Sequence, residues 1–229
     1  MKLRRLTFLL FVATSFAQLS QGPNGPGTTT GAWANPSYAL ALDGRYASNS
    51  IPANANSLSF LLRSYGFTVP TGAAVQGIVV TVYRSDLTGF GDLTDRTIQL
   101  TSGGSPIGSN KALTATLWPP GASSQAYGSP TDVWGLSSPT GATVDDASFG
   151  LTVVVHNQNT DAAETAGLDF VSITVYYRAG GAHSYGAIVG QTRVGPLRIV
   201  AGSASSASRP LALSIPMSDA EAPRREALP

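Results

Sequence analysis

Apolar and polar residues alternate with a period of two along most of the stretch from Gly31 to Arg178. The clearest runs are Ser148–His156 and Leu168–Arg178. In the first, Phe149, Leu151, Val153 and Val155 share a face. In the second, Val171, Ile173, Val175 and Tyr177 oppose Phe170, Ser172, Thr174 and Tyr176. Period two with β-branched side chains is the signature of half-buried β-strands. These two are expected to be central, with the polar stretch Asn157–Ala166 as the loop between them. Ala73–Arg84 is a third strong strand, with Ile78, Val80 and Val82 on one face and Thr81 and Tyr83 on the other.

Weaker signals fill the intervals. Tyr38, Leu40 and Leu42 alternate ahead of Asp43-Gly44, which reads as a hairpin turn before Arg45–Ser48. Leu58, Phe60 and Leu62 share a face, as do Ile98 and Leu100 in Asp95–Thr101. Ile107–Leu113 and Val133–Leu136 read as short strands or edge pieces. Leu117–Asp132, rich in Pro, Gly and Ser, reads as irregular. About seven to nine short strands with turn signals between them predict an all-β fold, a two-layer antiparallel β-sandwich of jelly-roll type.

The ends differ in character. Residues 1–17 carry Lys2, Arg4 and Arg5, then apolar Leu6–Val12, then small residues at Ser15 and Ala17. This is the layout of a secretory signal and is too short for a permanent membrane anchor. Residues 18–30 read as a flexible leader, 31–180 as the sandwich, and 181–229 as a mostly disordered tail or linker. In the tail, Leu197, Ile199 and Val200 are the residues expected to make any apolar contact with the sandwich. Nothing else is apolar for long enough to cross a bilayer as a helix.

Without Lys2, Arg4 and Arg5 the chain carries 11 basic against 13 acidic residues. No basic patch with interleaved aromatics appears, so nucleic-acid binding lacks electrostatic support. There is no cysteine. An exported chain of this kind must be stabilised by burial alone, which excludes a small disulfide-stapled fold.

A series of short signatures recurs in order: Trp33-x-Asn35-Pro36, Asp43-Gly44-x-Tyr46-Ala47, Pro70-x-Gly72-Ala73-x-x-x-Gly77-Ile78, Ile107-Gly108-Ser109-Asn110-Lys111-Ala112, Tyr127-Gly128, Asp132-x-Trp134-Gly135 and Phe149-Gly150. Together they resemble an uncharacterised β-sandwich module of tailed-phage structural proteins and secreted bacterial proteins. The resemblance implies a structural, adhesive or binding role and supplies no catalytic residues. On physical grounds the glycines mark turns or crowded backbone. Asn110, Lys111 and Asp132 are expected to cap loops or pair, and Trp33 and Trp134 to plug the core.

Catalytic chemistry finds little support. The two histidines, His156 and His183, have no motif around them, and no G-x-S-x-G elbow exists. Glu164 is the lone Glu before the tail, and the Asp residues fall in or beside predicted loops, where they commonly close turns through their own side chains. No cofactor is expected, with calcium as the alternative at Asp86, Asp92 and Asp95, or at Asp145 and Asp146, because that ion takes oxygen ligands from loops. Two functional classes follow. One is a secreted, non-enzymatic structural or adhesive module, self-assembling through the outer sheet face that carries Thr81, Tyr83, Thr174 and Tyr176. The other is a carbohydrate-binding module using the loop aromatics Trp118, Tyr127 and Phe90, with a surface glycan as partner.

Overall fold

The computed structural model describes residues 17–179. Residues 1–16 of the signal-like segment and the tail, with His183, Leu197, Ile199 and Val200, lie outside them. Ten strands form two antiparallel sheets: β1 Leu19–Asn24, β2 Thr28–Thr30, β3 Ala47–Ile51, β4 Phe60–Arg63, β5 Ala74–Asp86, β6 Leu93–Ser102, β7 Ser105–Pro106, β8 Ser123–Ser129, β9 Gly150–Asn157 and β10 Glu164–Arg178. The first sheet runs β1-β10-β5-β8, with β3 also paired to β10. The second runs β2-β4-β9-β6-β7. The chain therefore changes sheet at nearly every connection, and the two layers close over one core. β10 and β9 are interior strands of opposite sheets, so the loop between them crosses the sandwich from one layer to the other.

The core follows from the alternation. Val80, Val82, Val171, Ile173 and Val175 of the first sheet meet Phe60, Leu62, Ile98, Leu100, Leu151 and Val153 of the second, all buried. Each such side chain, fully withdrawn from water, contributes about 1.5–3 kcal/mol. Trp33 and Trp134 are buried as expected. Trp33 stacks on Phe60 with centroids 5.0 Å apart and donates its indole N–H to Leu58 O at 2.8 Å.

Register slips break the period at several places, and two of them decide which side chains face the core. In β10 the register slips between Leu168 and Phe170. Ala166 and Leu168 then face inward on one parity, and Val171, Ile173 and Val175 on the other. In β6 the slip lies between Asp95 and Thr97. It turns Leu93 and Asp95 into the core alongside Ile98 and Leu100. A single extra residue on one strand has this effect because side chains alternate strictly along the backbone.

The structure departs from the expectations in several places. The leader is not a loose segment: β1 pairs with the C-terminal half of β10, and β2 with β4. Neither strand has apolar alternation, since backbone hydrogen bonding holds both at sheet edges. Asp43-Gly44 does not close a hairpin. A 3₁₀ turn, Pro36–Ala39, precedes it, and the strand that follows, β3, pairs with β10. The irregular stretch contains a regular strand, β8, which pairs with β5 from Ile78 to Arg84. Val133–Leu136 is a turn in which Trp134 adopts φ 58°. A helical turn, α1 Gly141–Asp145, precedes β9.

Four of the signatures, those at Gly77-Ile78, 107–112, 127–128 and 132–135, converge in space. Ser109 N–H donates to Trp134 O at 2.6 Å. Lys111 pairs with Asp132 at 2.7 Å, and Asp132 also accepts from Trp134 N–H. Asn110 caps the edge of β6 by accepting from Ile98 N–H at 2.9 Å. The Trp134 indole donates to Ile78 O at 2.8 Å. Gly128 has φ 77°, and a Cβ there would meet Trp134 Nε1 at 2.5 Å. These motifs form one structural knot tying β8 and the 107–111 edge to β5.

Candidate functional site

Arg84 continues the inward parity of Val80 and Val82, so β5 carries a guanidinium into the core at one end of the sandwich. The β6 bulge aims Asp95 at it from the opposite sheet. Arg84 Nη1 donates to Asp95 Oδ1 at 2.5 Å and to Tyr127 Oη at 2.8 Å. Tyr127 in turn donates to Asp95 Oδ2 at 2.8 Å. The Trp118 indole donates to Oδ1 at 2.8 Å, and Leu113 N–H to Oδ2 at 2.9 Å. The guanidinium carbon lies 5.0 Å from the Trp118 ring centroid, a cation–π contact. Both charges are buried, which is tolerable because each is answered by the other and by further hydrogen bonds. Burial, and after it the negative charge of Asp95, raises the pKa of the Tyr127 hydroxyl and keeps it protonated as a donor.

This network corrects two expectations. Trp118 and Tyr127 are 0% and 3% exposed, and Tyr127 lies on a strand. They form part of the core and offer no face to a ligand. Phe90, on the 86–92 loop, is exposed. Nor do Asp86, Asp92 and Asp95 form a common ligand set. Asp95 faces the core with Arg84. Asp86 is buried and closes its own loop, accepting from the N–H groups of Thr88, Gly89 and Gly91. Asp92 accepts from the Asn159 amide at 3.1 Å. Among the described residues no group of three or more His, Cys, Asp or Glu side chains is arranged to hold a metal ion.

The remaining candidates are structural or peripheral. Asp145 accepts from Val69 N–H, and Asp146 from Ser148 N–H. His156 lies on the rim against Asn56 at 3.0 Å. Glu164 is buried beside the 86–92 loop, with Oε1 lacking a hydrogen-bond partner. Burial, followed by the charge of Asp86, raises its pKa.

On the outer face of the first sheet the chain builds a cleft of about 270 Å³. Its origin is the β10 bulge. Asp169, at the slip, accepts from Asp43 N–H at 3.2 Å and from Gly44 N–H at 3.2 Å. Gly44 has φ 79°, a conformation that L side chains rarely adopt. The loop before β3 is thereby folded over the sheet, with a further bridge between Leu40 and Phe170. Leu42 and Tyr46 from this loop, Tyr83 from β5, Asp169 from β10, and Ser123 and Ser124 from β8 line the cleft. Tyr83 is buttressed by Phe170 at 6.0 Å between centroids. Arg84 borders the cleft from behind, its guanidinium engaged with Asp95. At the loop's outer side Arg45 pairs with Asp43 and lies 4.8 Å from the Tyr38 ring centroid. Burial and the negative charge of Asp169 raise the pKa of Tyr46.

Sequence reasoning identified Tyr83 as an outer-face residue and singled out Asp43-Gly44-x-Tyr46, but it did not bring them together. The signal for Arg84 was present as the continued parity of β5. That for Asp95 and Asp169 was hidden by the bulges.

No helix among the described residues is long and apolar enough to cross a membrane. No family model matches the chain, and no curated protein matches it. A solved structure of an arabinose-bound α-L-arabinofuranosidase, MgGH51, is similar with a TM-score of 0.40 and 12% identity, over 69% of this chain and 23% of that chain. A likeness of that size carries no argument about function.

Proposed function

We propose that this chain is an exported, non-enzymatic interaction module that acts by adhesion through the outer face of its first sheet. The supporting observation is a division of labour between inside and outside. Arg84, Asp95, Tyr127 and Trp118 are engaged with one another in the interior. The outer face offers a cleft walled by tyrosines and serines. Tyrosine and serine side chains bind by contact and hydrogen bonding, and the carboxylate of the lining, Asp169, is held by the backbone N–H groups of Asp43 and Gly44.

Co-sedimentation with insoluble cellulose, chitin and purified cell-wall sacculi tests the reading, alongside light scattering over a range of concentrations. Retention on at least one surface is expected. A chain that stays in the supernatant with all of them and remains monomeric at high concentration overturns it, as does turnover of chromogenic glycosides.

Self-association is a second reading, favoured by one observation. Among the described residues β8 pairs with β5 alone, leaving its other edge without a strand partner there, in a stretch without charged residues. Open edges template strand pairing. Gln125→Pro is expected to abolish any concentration-dependent dimer that forms this way.

A further inference from the structure

We propose that the cleft formed by Leu42, Tyr46, Tyr83, Asp169, Ser123 and Ser124 is a binding site for one uncharged sugar ring. The inference rests on the adhesion reading and names the ligand class of that face.

Charge selects among ligands first. Asp169 is the acidic group in the lining, so an anionic ligand meets repulsion. The nearby cations are each paired with a carboxylate, Arg84 with Asp95 and Arg45 with Asp43, which offsets their attraction for a phosphate or carboxylate. Backbone N–H groups of Asp43 and Gly44 already answer the Asp169 carboxylate, which weakens its pull on a ligand ammonium. The favoured ligand is therefore neutral.

The shape and chemistry of the lining narrow the class further. Tyr46, Tyr83 and Leu42 supply apolar walls, and Phe170 fixes the Tyr83 ring from the side. A pyranose presents a face of C–H groups that suits the electron-rich face of an aromatic ring. Its hydroxyls are both donors and acceptors. They match the lone pairs left on Asp169 and the hydroxyls of Ser123 and Ser124, which can donate or accept. The volume, about 270 Å³, suits a single ring and is small for a drug-sized apolar ligand.

Amide chemical-shift titration of the full chain provides the test. The probes are methyl glycosides of glucose, galactose, mannose, xylose and N-acetylglucosamine, with sodium sulfate and choline chloride as the charged arms. Saturable shifts at residues 42–46, 83, 123–124 and 169 are expected with at least one glycoside. Tyr46→Ala is expected to weaken that binding about tenfold while retaining the native spectrum, and Tyr46→Phe to stay within about threefold of the parent. Three results overturn the inference: no glycoside shifts the cleft, choline or sulfate alone does, or binding survives Tyr46→Ala. If the chain still sediments with a surface while the cleft stays silent, the sugar site falls and the adhesion reading stands. If it neither sediments nor associates, the adhesion reading fails as well.

Discussion

Arg84 and Asp95 face each other across the gap between the two sheets, 2.5 Å apart, with side chains 2% and 0% exposed. The pair joins strands β5 and β6, which are consecutive in the chain but belong to opposite layers. Removing one partner strands the other charge in the core. Asp95→Asn or Arg84→Met is therefore expected to cost about 3–5 kcal/mol, read as a lowered urea midpoint. The double variant Arg84→Met/Asp95→Leu is expected to recover a large part of that loss, because both desolvation penalties disappear together.

Trp118 contributes a donor as well as bulk. Trp118→Phe keeps most of the ring and removes the N–H that Asp95 accepts, for an expected loss of about 1–3 kcal/mol. Trp118→Ala is expected to cost about 3–5 kcal/mol. Thermal melting of both variants checks the order. An exposed sugar platform would instead leave the melt unchanged.

Gly128 combines φ 77° with a close approach to the Trp134 indole and Ile78 O. Gly128→Ala is expected to destabilise by about 1–3 kcal/mol. Gly121 has open space where its Cβ would be and no positive φ, so Gly121→Ala is the matched control and is expected to be near neutral in the same denaturation series.

Glu164 provides a pH signature. Its pKa is raised from an ordinary 4.5, first by burial and then by Asp86. The native state thus holds a proton that the unfolded chain has released, and stability falls as pH rises from that ordinary value through the folded one. Glu164→Gln is expected to flatten this slope and to be more stable than the parent at neutral pH. Urea midpoints measured between about pH 4 and pH 8 check it.

Chelation is expected to leave the melting temperature unchanged, because Asp95 is committed to Arg84 and Asp86 to three backbone amides. Differential scanning calorimetry with EDTA and with added calcium checks this, and a calcium-dependent upward shift counts against it.

Alternation alone determined the fold class. Val80, Val82, Ile173 and Val175 lie on inner faces and Tyr83 and Thr174 on outer ones, as period two requires, because each strand side faces one environment. Cysteine content and charge likewise bounded the chemistry, since these are sums over residues and need no geometry. What the tertiary structure decided depends on events that leave no local pattern. β1 and β8 are strands because neighbouring strands take up their backbone hydrogen bonds, although their side chains are mostly polar. The bulges beside Asp95 and Asp169 swap the facing of whole strand segments, and one extra residue in a ladder has no compositional mark. Trp118 and Tyr127 read as loop aromatics because their partners, Arg84 and Asp95, come from other strands. Tyr46 and Tyr83 became neighbours only when Asp169 drew the Asp43-Gly44 turn down onto the sheet. A long-range hydrogen bond between residues more than a hundred positions apart decides where that cleft lies.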